Sequence, residues 1–174
     1  KTAIKIEADI AKISEDILRT ETSLEIARRN VEAARKGLNL NQTELPECKV
    51  QLTEVQQNAF NLIHEGFDAK KPVLLHGVTG SGKTEIYIKA AHEALSKGQN
   101  VLYLVPEIAL SRQLEDRLYE HFEDRPLIFH SGETSAAKRN IAEIIRAQQG
   151  KTGNYILLGT RSSLFLPHHD LGLI

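Results

Sequence analysis

The clearest indication of the fold comes from VLLHGVTGSGKTEIY, residues 73–87. A short apolar run ends at a glycine-rich turn, and a lysine then opens a segment whose apolar residues have helical spacing. Residues 77–84, GVTGSGKT, fit the pattern G-x-x-x-x-G-K-[ST] at every position. The pattern predicts a loop that joins a buried strand to a helix and holds the phosphates of a nucleotide.

Each residue type in this loop has a physical reason. Glycines let successive backbone N–H groups converge on one anion, because no side chain stands in the way. The helix that follows adds the positive end of its dipole. Lys83 can reach the β- and γ-phosphates, and the Thr84 hydroxyl can bind Mg²⁺, so we expect these two to be the catalytic residues of the loop. The expected triphosphate-binding residues are Gly77, Thr79, Gly80, Ser81, Gly82, Lys83 and Thr84.

From about Val50 onwards, strand-like and helix-like segments alternate. The predicted strands are 72–76, 100–106, 126–131, 154–160 and 171–174, and the predicted helices are 84–98, 107–122 and 135–150, with Gly98 and Gly150 as helix stops. Strands joined through helices favour a mostly parallel sheet with helices on both faces. The sequence therefore predicts an α/β domain over residues 50–174.

Residues 1–40 follow a different pattern. Apolar or small residues recur at steps of four and three from Ile6 to Leu38, which is typical of a long helix that packs along a partner. We interpret residues 1–40 as a long N-terminal helical arm and residues 41–49 as a linker. Two roles for the arm stay open, a stabilising one and the recognition of a partner.

The composition bounds the class of protein. The chain has 174 residues, a hydrophobic fraction of 41% and a formal net charge of −1, which is ordinary for a soluble domain and neither indicates nor excludes nucleic-acid binding. The single cysteine, Cys48, excludes an internal disulfide and a cysteine-only metal site in this chain. No signal peptide and no apolar run of about 20 residues is found, which favours a cytoplasmic protein without membrane contact. Because the chain opens with Lys1 and contains no methionine, we expect it to be an excised part of a longer protein.

Four segments, in this order, resemble the PriA family of bacterial superfamily 2 helicases, also called primosomal protein N′: LLHGVTGSGKTEIY, LVPEIALSRQ, FHSG and GTRSSLFLPHHDLGLI. The resemblance covers roughly residues 50–174 and implies part of the first RecA-like lobe of a DNA helicase. Such enzymes use ATP and Mg²⁺ to move 3′→5′ on single-stranded DNA and help to assemble the primosome at stalled forks. The implied partners are forked or single-stranded DNA, primosome proteins and single-strand-binding protein, and the family's zinc would be held by ligands outside this chain.

The resemblance also implies roles for single residues. Gln56, in the segment QLTEVQQ, would read the adenine edge through its carboxamide. The implied DNA-facing residues lie at or after the carboxyl ends of predicted strands: Pro106, Glu107, Ser111, Arg112, Gln113, His130, Ser131, Thr160 and Arg161. Two plainer interpretations stay open, namely that Arg112 and Arg161 are surface charges and that His130 is structural.

The sequence also departs from the family pattern. In the family an acidic box that holds Mg²⁺ follows the strand that begins as LGLI, and a second lobe supplies an arginine finger; neither is found in this chain. We therefore expect the chain alone to bind nucleotide weakly and not to hydrolyse ATP. The alternatives are a small kinase with the same loop and a non-catalytic module that dimerises through the arm.

Overall fold

The computed structural model describes residues 13–14, 16–24, 27–28, 44–106, 112–130, 132, 134–150 and 154–174. Its centre is a four-stranded sheet in the order β2-β3-β1-β4. The strands are β1 Asn100–Leu104, β2 Pro126–Phe129, β3 Ile156–Gly159 and β4 Leu171–Leu173. All three strand pairs are parallel, with Val101 opposite Ile156 and Leu127 opposite Leu157. The predicted α/β class with a parallel sheet is confirmed.

Among the described residues of the domain, four α-helices and one 3-10 helix accompany the sheet. They are α1 Glu54–Asp68, α2 Lys83–Ser96, α3 Arg112–Phe122, α4 Ser135–Gln148 and the 3-10 helix Arg161–Phe165. The Thr134 hydroxyl caps α4 by accepting from the Ala137 N–H at 3.2 Å. Gly98 and Gly150 follow the ends of α2 and α4 with φ of 79° and 73°, so the predicted helix stops are confirmed.

Helices cover both faces of the sheet, as the sequence predicts. Because successive strand residues point to opposite faces, Leu157 and Leu158 belong to different core clusters. One cluster joins the strands to α2 and α3 through residues such as Ile88, Leu95, Leu118 and Phe122. The other joins them to α4 through Ile141, Ile144 and Ile145. A third, smaller cluster packs α1 against α2.

One predicted strand is wrong. Residues 72–76 do not join the sheet, and the segment 71–78 has no regular secondary structure. The physical reason is the lack of a neighbour: among the described residues no strand pairs with this segment, and an apolar groove of about 450 Å³ lies between Val73–Leu75 and the end of β4. Paired strands lie about 4.8 Å apart, and among the described residues this segment has no such partner.

The other boundaries shift less. The predicted strands 100–106, 126–131 and 154–160 end earlier, at Leu104, Phe129 and Gly159. The described part of the predicted helix 107–122 is α3, which begins at Arg112. The 3-10 helix was not predicted.

The arm is described only in part. Residues 13–14, 16–24 and 27–28 are helical, which agrees with the predicted helix, and the rest of the arm lies outside the described residues. Its apolar seam residues Ile13, Ile17 and Leu24 are each more than half exposed. Within the described parts of the chain, no helix is both long and apolar enough to span a membrane.

The described end of the predicted linker packs on the domain. Leu45 and Cys48 pack against the core cluster that holds α2 and α3. The His92 ring donates from Nε2 to the Pro46 carbonyl at 2.7 Å. Residues 44–49 are therefore held against α2.

Candidate functional site

The glycine-rich turn has the backbone geometry that an anion site needs. Gly80 and Gly82 have φ of 80° and 79°, in the left-handed region that side chains disfavour. Gly82 is the N-cap of α2 and provides no side-chain cap. The first N–H groups of a helix have no acceptor within the helix, so this end of α2 presents donors and a positive dipole end to the loop.

Lys83 lies across the inside of the turn. Its Nζ donates to the carbonyl oxygens of Gly77 at 2.8 Å and Val78 at 2.7 Å, and approaches Ser81 Oγ at 3.4 Å. The loop thus wraps around the ammonium group of Lys83. Phosphate oxygens are stronger acceptors than neutral carbonyls, so a triphosphate can take over these donors. The structure brings the predicted phosphate-binding residues together in one turn.

Gln56 reaches the same turn from α1. Its Nε2 donates to the Gly82 carbonyl at 3.1 Å, and its Oε1 accepts from the Thr53 N–H at 2.8 Å. The latter bond is half of a capping box that starts α1. The carboxamide therefore links α1 to the loop and keeps one further N–H, and its contact with adenine remains a prediction.

Beside the loop lies an ion pair that the sequence did not predict. Arg117 Nη2, on α3, donates to Glu85 Oε1, in the first turn of α2, at 2.6 Å. This hydrogen bond is the main reason that the pKa of Glu85 lies below its ordinary value. No sequence signal pairs residues 32 positions apart on two helices, so only the packing of α2 on α3 reveals the contact.

The carboxyl ends of β1, β2 and β3 meet at one edge of the sheet, as parallel strands require. Pro106, Arg112, Gln113 and Arg161 are exposed near this edge. His130 is half-buried, and its Nδ1 accepts from the Gly132 N–H at 3.1 Å. Glu107, Ser111 and Ser131 lie outside the described residues.

Thr160 is the buried member of this set, with 6% of its surface exposed. Its carbonyl accepts from the N–H and the hydroxyl of Ser163, at 2.9 and 2.6 Å. His168 Nε2 donates to the Ser163 carbonyl at 2.8 Å. These bonds hold the turn that presents Arg161, so Thr160 has a structural role, and its contact with DNA remains a prediction.

Comparison with known proteins agrees with this geometry. The profile of the family described as "Type III restriction enzyme, res subunit" matches residues 49–171. The chain belongs to this family. It is also similar to proteins named Replication restart protein PriA, so the resemblance to that helicase family is confirmed.

Three of these relatives show the extent of the likeness. The chain is 42% identical to the Rickettsia typhi protein over 146 residues, 83% of this chain and 22% of that protein. It is 41% identical to the Synechocystis protein over 137 residues, 78% of this chain and 15% of that protein. The Bacillus subtilis protein is 38% identical over 125 residues, 71% of this chain and 15% of that protein. The chain thus spans about a fifth or less of the length of these curated relatives.

Proposed function

We propose that the chain is the nucleotide-binding part of an ATP-dependent DNA helicase that acts in replication restart. The observation that carries the proposal is the glycine turn closed over Lys83 at the start of α2, on a parallel α/β scaffold. The names of the relatives support replication restart. Movement in the 3′→5′ direction, primosome proteins and single-strand-binding protein as partners, and zinc elsewhere in the whole protein rest on the family resemblance.

The residues of the loop would share the work of binding. The β- and γ-phosphates would draw Lys83 Nζ away from the Gly77 and Val78 carbonyls, and the N-terminal N–H groups of α2 would donate to them. Thr84, in the first turn of α2, is the residue that would hold Mg²⁺, which neutralises charge on the phosphates when bound. Gln56 would turn its remaining N–H toward the adenine edge.

We further propose that the chain alone does not hydrolyse ATP. Hydrolysis in this class needs an acidic residue that holds the metal and a residue that orients the attacking water. Glu85, the acid that the structure places beside the loop, is already paired with Arg117.

The nucleotide site is tested by substituting Lys83 with alanine and titrating a fluorescent ATP analogue with Mg²⁺. We expect affinity to fall by about tenfold or more, because a charged donor to phosphate is lost. Lys97→Ala, an exposed lysine at the other end of α2, is the matched control and should bind as the parent chain does. Equal affinity of the Lys83→Ala chain would contradict the site, and ATP turnover that depends on Lys83 in this chain would contradict its proposed inactivity.

The DNA-facing edge is tested in the whole protein by reversing the charge of Arg161. Arg161→Glu should weaken binding to single-stranded DNA and lower the dependence of affinity on salt by about one phosphate contact. Lys97→Glu makes the same charge change at the opposite edge of the sheet, where α2 ends and β1 begins, and should leave the salt dependence unchanged. Identical salt slopes for both variants would remove Arg161 from the DNA-facing surface.

A further inference from the structure

The contact between Glu85 and Arg117 joins two elements to which the proposed function gives different ligands. Glu85 lies one residue after Thr84, in the first turn of α2, where the phosphates would bind. Arg117 lies on α3, five residues after Arg112, which opens that helix and belongs to the proposed DNA-facing edge. The N–O distance is 2.6 Å, and the Arg117 and Glu85 side chains are 37% and 30% exposed.

The Glu85 carboxylate borders the phosphate turn itself. Its Oε2 lies 3.3 Å from the point that a Cβ atom at position 82 would occupy. An uncompensated carboxylate beside the turn would repel a triphosphate bound there. Arg117 supplies the compensating charge, and its hydrogen bond to the carboxylate lowers the pKa of Glu85.

The stretch of helix between Arg112 and Arg117 is short enough for the two residues to move together. Five residues of helix span about 7.5 Å, so Arg117 and Arg112 belong to one rigid segment of α3. A shift of α3 on binding DNA would move the guanidinium relative to Glu85. The pair is the charged contact by which such a shift would reach the phosphate turn.

We propose that the Glu85–Arg117 ion pair is a positioning contact that couples the nucleotide site to the DNA-facing edge. The proposal rests on the function proposed above. Coupling of this kind is reciprocal: the factor by which DNA strengthens ATP binding equals the factor by which ATP strengthens DNA binding. Neither residue needs to touch the reacting atoms.

The test uses the whole protein and measures the ATP affinity of the resting enzyme with and without saturating single-stranded DNA. Arg117→Ala and Glu85→Gln should each reduce the DNA-dependent factor by about two- to fivefold, the range expected for a half-exposed ion pair. The double variant with Glu85→Arg and Arg117→Glu restores opposite charges and should recover most of the factor. A purely structural pair would alter the unfolding temperature and leave this factor unchanged.

The matched control is Glu93→Gln. It removes the carboxylate charge from the contact between His64 Nε2 and Glu93 Oε2, which is 3.1 Å long, has similar exposure and lies near the other end of the same helix α2. The control should keep the full DNA-dependent factor. If Arg117→Ala fails to fold, the charge-exchanged variant decides: recovery of fold and factor supports the coupling, and recovery of fold alone overturns it.

The outcomes separate this inference from the proposed function. If DNA changes neither the ATP turnover nor the ATP affinity of the unaltered protein, the proposed helicase function fails. If DNA changes the turnover and leaves the ATP affinity unchanged, the helicase function stands and the coupling is overturned. If DNA does change the ATP affinity, and both single variants keep the whole factor, the helicase function stands and the coupling role of the pair is overturned.

Discussion

The phosphate turn and the sheet are held by different kinds of interaction. The turn relies on hydrogen bonds from Lys83 and Gln56; the segment before it exposes Leu74 by 89%, and Val78 within the turn is 75% exposed. In contrast, β3 is paired on both sides, and its residues Ile156, Leu157 and Leu158 are fully buried. The sheet therefore provides most of the stability of this chain, and the binding chemistry lies in a turn that can rearrange at little cost to the fold.

Two buried amides link the sheet region to segments that are distant in sequence. Asn100 Oδ1 accepts from the Tyr155 N–H at 3.1 Å, and its Nδ2 donates to the His169 carbonyl at 2.8 Å. Asn154 Nδ2 donates to the Leu95 carbonyl at 2.9 Å. These bonds tie strands to neighbouring segments that are distant in sequence, whereas Lys83 in the turn bonds residues at most six positions away.

The difference in stability between the sheet and the segment before the turn is tested most directly with two leucines. Leu158→Ala should lower the free energy of unfolding by about 3 kcal/mol, because it leaves a cavity in the core. Leu74→Ala removes the same atoms from an exposed side chain and should change that free energy by less than about 0.5 kcal/mol. Urea denaturation of this chain measures both. Similar losses for the two variants would show that the segment before the turn is packed as firmly as the sheet.

The fold was largely predictable because its signals are local. Apolar runs and glycine stops predicted β1 to β4, α2 and α4, since buried strands and amphipathic helices carry period-specific patterns. The segment 72–76 has the same apolar pattern, yet it lies outside the sheet. A strand requires a partner as well as a pattern, and the sequence of one segment says nothing about its neighbours.

The site was predictable in part. The turn itself follows a spacing rule, so residues 77–84 could be assigned to phosphate binding from the sequence. The Glu85–Arg117 pair and the bond from Gln56 to the Gly82 carbonyl depend on how α2 packs against α3 and α1. The buried position of Thr160 arises from the 3-10 helix and its Ser163 hydroxyl, and no periodic sequence pattern predicts that helix.

A smaller effect on stability is expected from two glycines of the turn. Gly80→Ala and Gly82→Ala both place a side chain at positive φ, at a cost of about 1 kcal/mol each. At Gly80 the added Cβ meets open space, whereas at Gly82 it meets the Gln56 amide and displaces the hydrogen bond to the Gly82 carbonyl. Gly82→Ala should therefore cost about 1 kcal/mol more in unfolding free energy.

The control for this difference is a Gln56→Ala background, in which the two alanine substitutions should cost the same. Thermal or urea unfolding of the four variants gives the comparison. Equal costs in the presence of Gln56 would show that its amide does not hold the turn, and that α1 and the turn are joined in some other way.

The smallest expected effect on the free energy of unfolding is at Tyr155, which directly precedes β3, and this effect is stabilising. Tyr155 is fully buried, and among the described residues its hydroxyl makes no hydrogen bond of good geometry, although the nearby His169 backbone favours its ionised form. Tyr155→Phe should therefore raise the free energy of unfolding by up to about 1 kcal/mol at pH 7, because an unsatisfied buried polar group is removed. Tyr87→Phe, at a half-buried position on α2, is the control and should change it little. A less stable Tyr155→Phe chain would show that the hydroxyl is bound in the native protein.

The pH dependence tests the same group independently. Burial raises the pKa of Tyr155 to about 12, above the value of about 10 of an unfolded tyrosine. Between these values the folded chain binds the proton more tightly than the unfolded chain, so stability falls as the pH rises from about 10 towards 12. The phenylalanine variant lacks this loss, and its advantage over the parent chain should grow across that window in urea titrations. A constant advantage from pH 7 to pH 12 would mean that the hydroxyl ionises as easily in the folded chain as in the unfolded one, and that the sheet around β3 is more open to water than its buried side chains indicate.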